Sequence, residues 1–386
     1  MKKIREVRVP LVTALFLSMT AALLAVLCCL AALGWRTPAV ADKLREIDRI
    51  AADRYIGTLD ETAVADYAAV GYVTGLGDVW SSYIPAEQYE AYKLNTEGKN
   101  CGIGVMVVTD EKGLHVSRIY DDSPAAQAGM QQGDCIVGED GLTVPQDGAE
   151  AVLEAIQGEE GTPVTLTVRR DGSTLEMTMT RAIVTQKMAW GQMLADGTGY
   201  LRIENFHVGS AEQFQTALDA LVQAGARAIV LDVRHNGGGR VKEMSAMLDP
   251  LLPEGTIMTL RTKDGEEIVY SSDAAQLDLP LAVLIDEQSI SAAEFFAAAL
   301  QEYDCALLLG THTTGKGRAQ RTFELSDGSA VNLSVEEYFT PQGKSLAGVG
   351  IAPDIEAPLT EEQREAFWFL MPENDPQIQK AAEMLK

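Results

Sequence analysis

The stretch LPLAVLIDEQSISAAEFFAAALQ (279–301), with LLLGTHTTGKGRAQRTFELSDGSAV (307–331) close behind it, is the most informative part of the chain. The apolar run 281–285 predicts a buried strand. It breaks at a small-residue turn holding Ser291, and the residues after it predict a helix that starts at once. A second apolar strand follows and is expected to end at Lys316, which stands between two glycines. A serine at a helix N-terminus has a hydroxyl and unpaired backbone N–H groups side by side, which suits a nucleophile facing a developing oxyanion. A lysine set among Leu307, Leu308, Leu309 and Gly315 is open to desolvation, which keeps its amine neutral and basic. Taken singly, each residue has a plainer reading: a capping serine and a surface-loop lysine.

A third block, VLDVRHNGGG (230–239), reads as another buried strand, 228–233, ending in Arg234 and three glycines. The rest of the segment from about 183 alternates strands (200–203, 330–335) with helices (210–224, 241–248). That pattern predicts a mainly parallel sheet covered by helices, with ligands near the carboxyl ends of its strands.

Together these blocks resemble the carboxyl-terminal processing proteases, the S41 family of Ser/Lys peptidases. The family marks are Arg-x-Asn-x-Gly-Gly after a strand, Ser-Ala-x-x-Glu at the nucleophile, and Gly-Lys-Gly followed by Gln. Here they read Arg234-His235-Asn236-Gly237-Gly238-Gly239, then Ser291-Ala292-Ala293-Glu294, then Gly315-Lys316-Gly317 with Gln320. Ala293 stands where the family usually has Ser, and Gly237 where Pro is common. The resemblance implies a mixed α/β, multidomain chain whose protease core (183–386) is ClpP/crotonase-like. It implies Ser291 as nucleophile, Lys316 as general base and Gln320 as third member of the catalytic set. The oxyanion hole would combine the N–H groups of Ala292 and Gly238. No metal or cofactor is implied.

Ahead of the core, residues 98–182 alternate β-branched residues with glycine turns. A hairpin is predicted over 164–181, closing at Asp171-Gly172, and an amphipathic helix over 149–158. This region resembles a PDZ domain. In such domains the turn matching Gly102-Ile103-Gly104 takes a peptide's terminal carboxylate, and the peptide adds as a strand to the sheet edge. Residues 42–95 read as a helical arm, with Leu44, Ile47 and Ile50 on one helix face. The family has the same arm, and together with the amphipathic segment 375–385 it resembles elements that pair in homodimers; packing of that segment on its own core is the equal alternative.

Residues 11–33 carry no charge and follow a basic tail, 1–10, with Lys2, Lys3, Arg5 and Arg8. Spanning a bilayer takes about 20 apolar residues, against about 7–15 in a cleavable signal. A single transmembrane helix with the peptidase on the outer face of the cell membrane is therefore expected. Cleavage near Ala39-Val40-Ala41 and secretion is the alternative. The net charge of −25 argues against a nucleic-acid partner. Cys101, Cys135 and Cys305 have neither disulfide nor zinc-ligand spacing.

Three rival readings remain at this level. A Ser/His/Asp hydrolase would need His235 or His312 with an orienting carboxylate, and none is evident in the sequence. A non-catalytic PDZ scaffold would have no use for Ser291, Lys316 and Gln320. An enoyl-hydratase-like enzyme lacks any coenzyme A signature.

Overall fold

The computed structural model describes residues 39–386 and the pair Met19–Thr20. The predicted transmembrane segment and basic tail lie outside the described residues, and no helix among the described residues is long and apolar enough to cross a membrane. The chain divides into two compact units, Met1–Ala68 and Ala69–Lys386. The first holds helix α1 (Ala39–Arg54) and the start of α2 (Glu61–Thr74).

The second unit begins its regular structure with β1 (Ser82–Ile84) and α3 (Ala86–Thr96), and then enters the β-rich region. There β2 (Lys99–Gly102) pairs with β9 (Ala182–Thr185). Between them lie β3 (Val105–Asp110), β4 (Gly113–Ile119), α4 (Pro124–Gln127), β5 (Cys135–Glu139), β6 (Leu142–Thr143), α5 (Val144–Asp147), α6 (Ala149–Ile156), β7 (Pro163–Arg170) and β8 (Ser173–Thr180). The sheet runs β3-β4-β5-β7-β8, so β3 is an edge strand. The β7–β8 hairpin closes where expected, with Asp171 and Gly172 both at positive φ (49° and 78°), as a two-residue primed turn requires. Ile103, Leu114, Ile136, Val152, Ile156 and Val168 form a core separate from that of the α/β region that follows.

The remaining elements are β10 (Ala189–Met193), β11 (Gly199–Ile203), α7 (Ser210–Gln223), β12 (Ile229–Asp232), α8 (Val241–Leu248), β13 (Gly255–Thr262), β14 (Glu267–Ser272), β15 (Leu281–Ile285), α9 (Ala292–Glu302), β16 (Ala306–Gly310), β17 (Arg318–Glu324), β18 (Ala330–Phe339), β19 (Ile355–Glu356), α10 (Glu361–Glu365) and α11 (Pro376–Met384). One sheet, β10-β11-β12-β15-β16-β19, is parallel apart from β10. Its strands are apolar at both parities because both faces are covered. Ile229, Leu231, Val283 and Ile285 join the core with α7, α8 and α9, while Val230, Ala282 and Leu284 pack against Ile378, Ala381 and Ala382 of α11.

Sequence reasoning missed the second sheet. β1, β18, β13 and β14 form an antiparallel path, with β17 paired to β18. Lys316 does not end a strand of the parallel sheet. It sits in the loop between β16 and β17, carried by this second sheet. β1 of the expected helical arm pairs with β18 at Ser82–Asn332, so that region contributes to the second sheet. The C-terminal helix spends its apolar face on its own sheet, which is the alternative to dimer pairing. Ile378 is 2% exposed there. Ile378→Ala should lower unfolding stability by about 2–5 kcal/mol, read from the urea midpoint, and the loss should not depend on protein concentration.

Candidate active site

Helix α9 is buried all round from Ala292 to Leu300, and apart from Glu294 that stretch is apolar, as such burial requires. Its N-terminus is therefore a fixed point, and Ser291 caps it with φ 59° and ψ −116°. A non-glycine residue held there stores roughly 1–3 kcal/mol of backbone strain. Glu294 provides the bonds that hold it. It is wholly buried and accepts four hydrogen bonds, from Ser291 N at 2.8 Å, Lys316 N at 2.9 Å, Gly315 N at 2.7 Å and Thr313 Oγ1 at 2.7 Å. One carboxylate thus ties the serine turn to the lysine loop.

Lys316 is half-buried beneath Trp80, its Nζ 4.8 Å from the ring centroid. Burial pushes its pKa below the ordinary lysine value; Asp78 and Glu294 oppose the shift without cancelling it. Ser291, Lys316 and Gln320 line one cleft of about 850 Å³. Gln320 donates through Nε2 to Arg318 O (2.9 Å) and Ser334 Oγ (3.0 Å), which leaves Oε1 as its acceptor.

The two expected oxyanion donors differ. Ala292 N–H, in the first turn of α9, has no acceptor among the described residues. Gly238 presses on Ser291: a β-carbon there would lie 3.0 Å from Ser291 Cβ and 2.8 Å from Ile290 O, with φ at +97°. Its N–H, however, donates to Asn236 Oδ1 at 2.8 Å.

Four residues around the site were not assigned to it from the linear pattern. Tyr338 on β18 hydrogen-bonds the Ser291 hydroxyl, and burial raises its pKa to about 12. His207 lines the cleft, and burial and the charge of Arg240 lower its pKa. Asp78 and Trp80, far away in sequence, set the surroundings of Lys316.

The histidine rivals fall on geometry. His235 does have a carboxylate, Asp286 Oδ2 at 2.5 Å from Nδ1, contrary to the sequence expectation. But its ring stacks on Phe367 at 4.1 Å and lies outside the cleft of Ser291. His312 Nδ1 lies against Thr313 O. Arg234 is structural: it binds Asp232 (2.6 Å), Asp375 (2.9 Å) and Gln377 (2.5 Å) beneath the glycine turn. The guanidinium groups of Arg234 and Arg202 outweigh burial and hold Asp232 far below the usual carboxylate range. A second cavity of about 440 Å³, lined by Arg118, Arg202, Glu204 and Trp368, holds this ion-pair network but neither Ser291 nor Lys316.

In the β-rich region, Gly102, Ile103 and Gly104 end a narrow groove between β3 (Val105, Val107) and α6 (Leu153, Ile156). Gly104 has φ +78°, and a β-carbon there would meet Ser123 Cβ at 2.4 Å.

The chain matches the family models for peptidase family S41 over residues 197–357 and for the PDZ domain over 115–170. It is 32% identical over 323 residues to a carboxy-terminal-processing protease of Bartonella bacilliformis, covering 81% of this chain and 74% of that one. It is 29% identical to the carboxy-terminal processing protease CtpA of Bacillus subtilis over 83% of this chain and 69% of the relative. Among solved structures, the photosystem II D1 C-terminal processing protease is similar at 27% identity and TM-score 0.51, over 82% of this chain and 86% of that one.

Glu294→Gln keeps the shape of the clamp but turns an amide NH2 toward backbone donors. We expect about 1–3 kcal/mol lost per buried group left unpaired, measured by urea unfolding, and a fall in kcat that exceeds any rise in KM.

Proposed function

The chain belongs to peptidase family S41, the serine-type carboxy-terminal processing peptidases, and we propose that Ser291 and Lys316 carry its chemistry as nucleophile and general base. The observation that carries this reading is a half-buried lysine with a lowered pKa in the same cleft as a serine at a buried helix N-terminus. Ser291 Oγ attacks the scissile carbonyl carbon and its proton passes to Lys316 Nζ. The ammonium then protonates the leaving amine, and the same base activates water to cleave the acyl-enzyme. Gln320 Oε1 orients the amine without adding charge. Ala292 N–H receives the oxyanion. Gly238 N–H becomes the second donor by sharing or releasing its bond to Asn236.

The groove at Gly102-Ile103-Gly104 is assigned to capture substrate C-terminal tails by strand addition along the edge strand β3. A 2.7 Å ion pair between Arg118 of β4 and Glu204, next to β11, joins this module to the peptidase sheet. For placement, the uncharged run 11–33 behind a basic tail supports a single span with the peptidase outside.

Lys316→Ala should lower kcat at least ~10³-fold, as removal of a catalytic base does in serine hydrolases, while His235→Ala and His312→Ala should retain most activity. Because the base acts when neutral, the rate should rise with pH through the lowered Lys316 pKa to a plateau. A rate that falls as pH rises would contradict the assignment. Leu153→Glu, which puts a charge into the β3–α6 groove, should slow cleavage of a tailed protein severalfold more than hydrolysis of a short peptide.

A further inference from the structure

The Ser291 cleft is lined by four cationic side chains, Lys93, Arg240, Lys316 and Arg321, and by no aspartate or glutamate. This is notable in a chain of 56 acidic and 31 basic residues. Three of the four already have a role. Lys93 is paired with Glu90 at 2.5 Å, Arg321 is paired with Glu336, and Lys316 is the base. Arg240 alone is uncommitted: it is exposed, and no carboxylate among the described residues reaches ion-pair distance of it.

Its backbone is well fixed. Arg240 N donates to Phe206 O at 2.7 Å, and Phe206 N donates to Gly238 O at 2.9 Å, so Arg240 rises two residues from the glycine that touches Ser291 Cβ. Arg240 and His207 both line the cleft, and the charge of Arg240, after burial, lowers the His207 pKa. The buried Nδ1 of His207 has no partner, while the ring bonds the Asn95 backbone.

We propose that Arg240 is a specificity residue that selects substrates bearing a carboxylate close to the bond presented to Ser291. The carboxylate is either an Asp or Glu side chain or the peptide's own terminal α-carboxylate. A planar guanidinium binds a carboxylate by two parallel charge-assisted hydrogen bonds. In a protein of net charge −25, an unpaired cation at the cleft also offsets the repulsion that an acidic tail would otherwise meet. This inference rests on Ser291 as the nucleophile.

The test measures binding of labelled peptides to the full chain carrying Ser291→Ala, with and without Arg240→Gln. One pair of peptides differs as internal Asp against Asn, and another as C-terminal acid against amide. The carboxylate member of at least one pair should bind ~10-fold more tightly, as one charge-assisted contact allows. Arg240→Gln should bring that ratio near unity, and added salt should weaken it. The pair that responds identifies the source of the carboxylate, and any preference that survives Arg240→Gln belongs to the β3–α6 groove. Equal binding within both pairs, or a uniform loss on Arg240→Gln that leaves the ratio unchanged, would overturn the proposal. Cleavage by the otherwise unaltered chain is followed separately: hydrolysis that persists in Ser291→Ala would refute the nucleophile assignment, whereas the binding ratios would still report on Arg240.

Discussion

The candidate active site depends on a single buried carboxylate. Glu294 accepts hydrogen bonds from the backbones of Ser291, Gly315 and Lys316 and from Thr313 Oγ1. These donors come from two sheets: the serine follows a strand of the parallel sheet, and the lysine precedes a strand of the antiparallel one. Nothing in either sheet alone fixes their separation. A buried acceptor with four dipolar donors is satisfied without a cation. It sits on the first turn of α9, where the helix dipole favours negative charge. The strain at Ser291 is held against this clamp and against a helix with no exposed face.

The same carboxylate works against a neutral Lys316, because a nearby negative charge favours the ammonium. With an ordinary pKa of about 10.4, only about one lysine in 2,500 is neutral at pH 7, so the outcome turns on which effect is larger. Burial of Lys316 in the cleft and beneath Trp80 outweighs Asp78 and Glu294. Glu294 turns its oxygens toward backbone N–H groups, whose dipoles take up much of its field. The clamp therefore sets geometry while burial still keeps the Lys316 pKa below the ordinary lysine value.

Much of this was legible in the sequence. The apolar strand before Ser291, the buried helix after it and the glycine turn after β12 are local patterns, and they lie within a residue or two of where they were expected. Lys316 was found as a residue, but its setting was misread. The apolar run 306–310 suggested that the lysine ended a parallel strand, whereas it rides a loop into the antiparallel sheet. That sheet is assembled from five strands in three distant segments, and no local periodicity reports such pairing. Tyr338, His207 and Trp80 were missed for the same reason. The Asp286 partner of His235 was also invisible, since 51 residues separate the two groups; geometry, rather than a missing carboxylate, removes that histidine from the chemistry. Gly238, expected as an oxyanion donor, lies against Ser291, yet its N–H is bound to Asn236 two residues away, a short-range competition that only coordinates reveal.

The direct measurement is titration of the Lys316 ε-amine in the intact chain, by NMR of selectively labelled lysine with Lys316→Arg to assign the signal. The account predicts a pKa well below 10.4, and a rise toward the ordinary value when Trp80→Ala opens the site to water. A Lys316 pKa at or above the ordinary lysine value would mean that the amine is charged at working pH, and the Ser291–Lys316 assignment would fail.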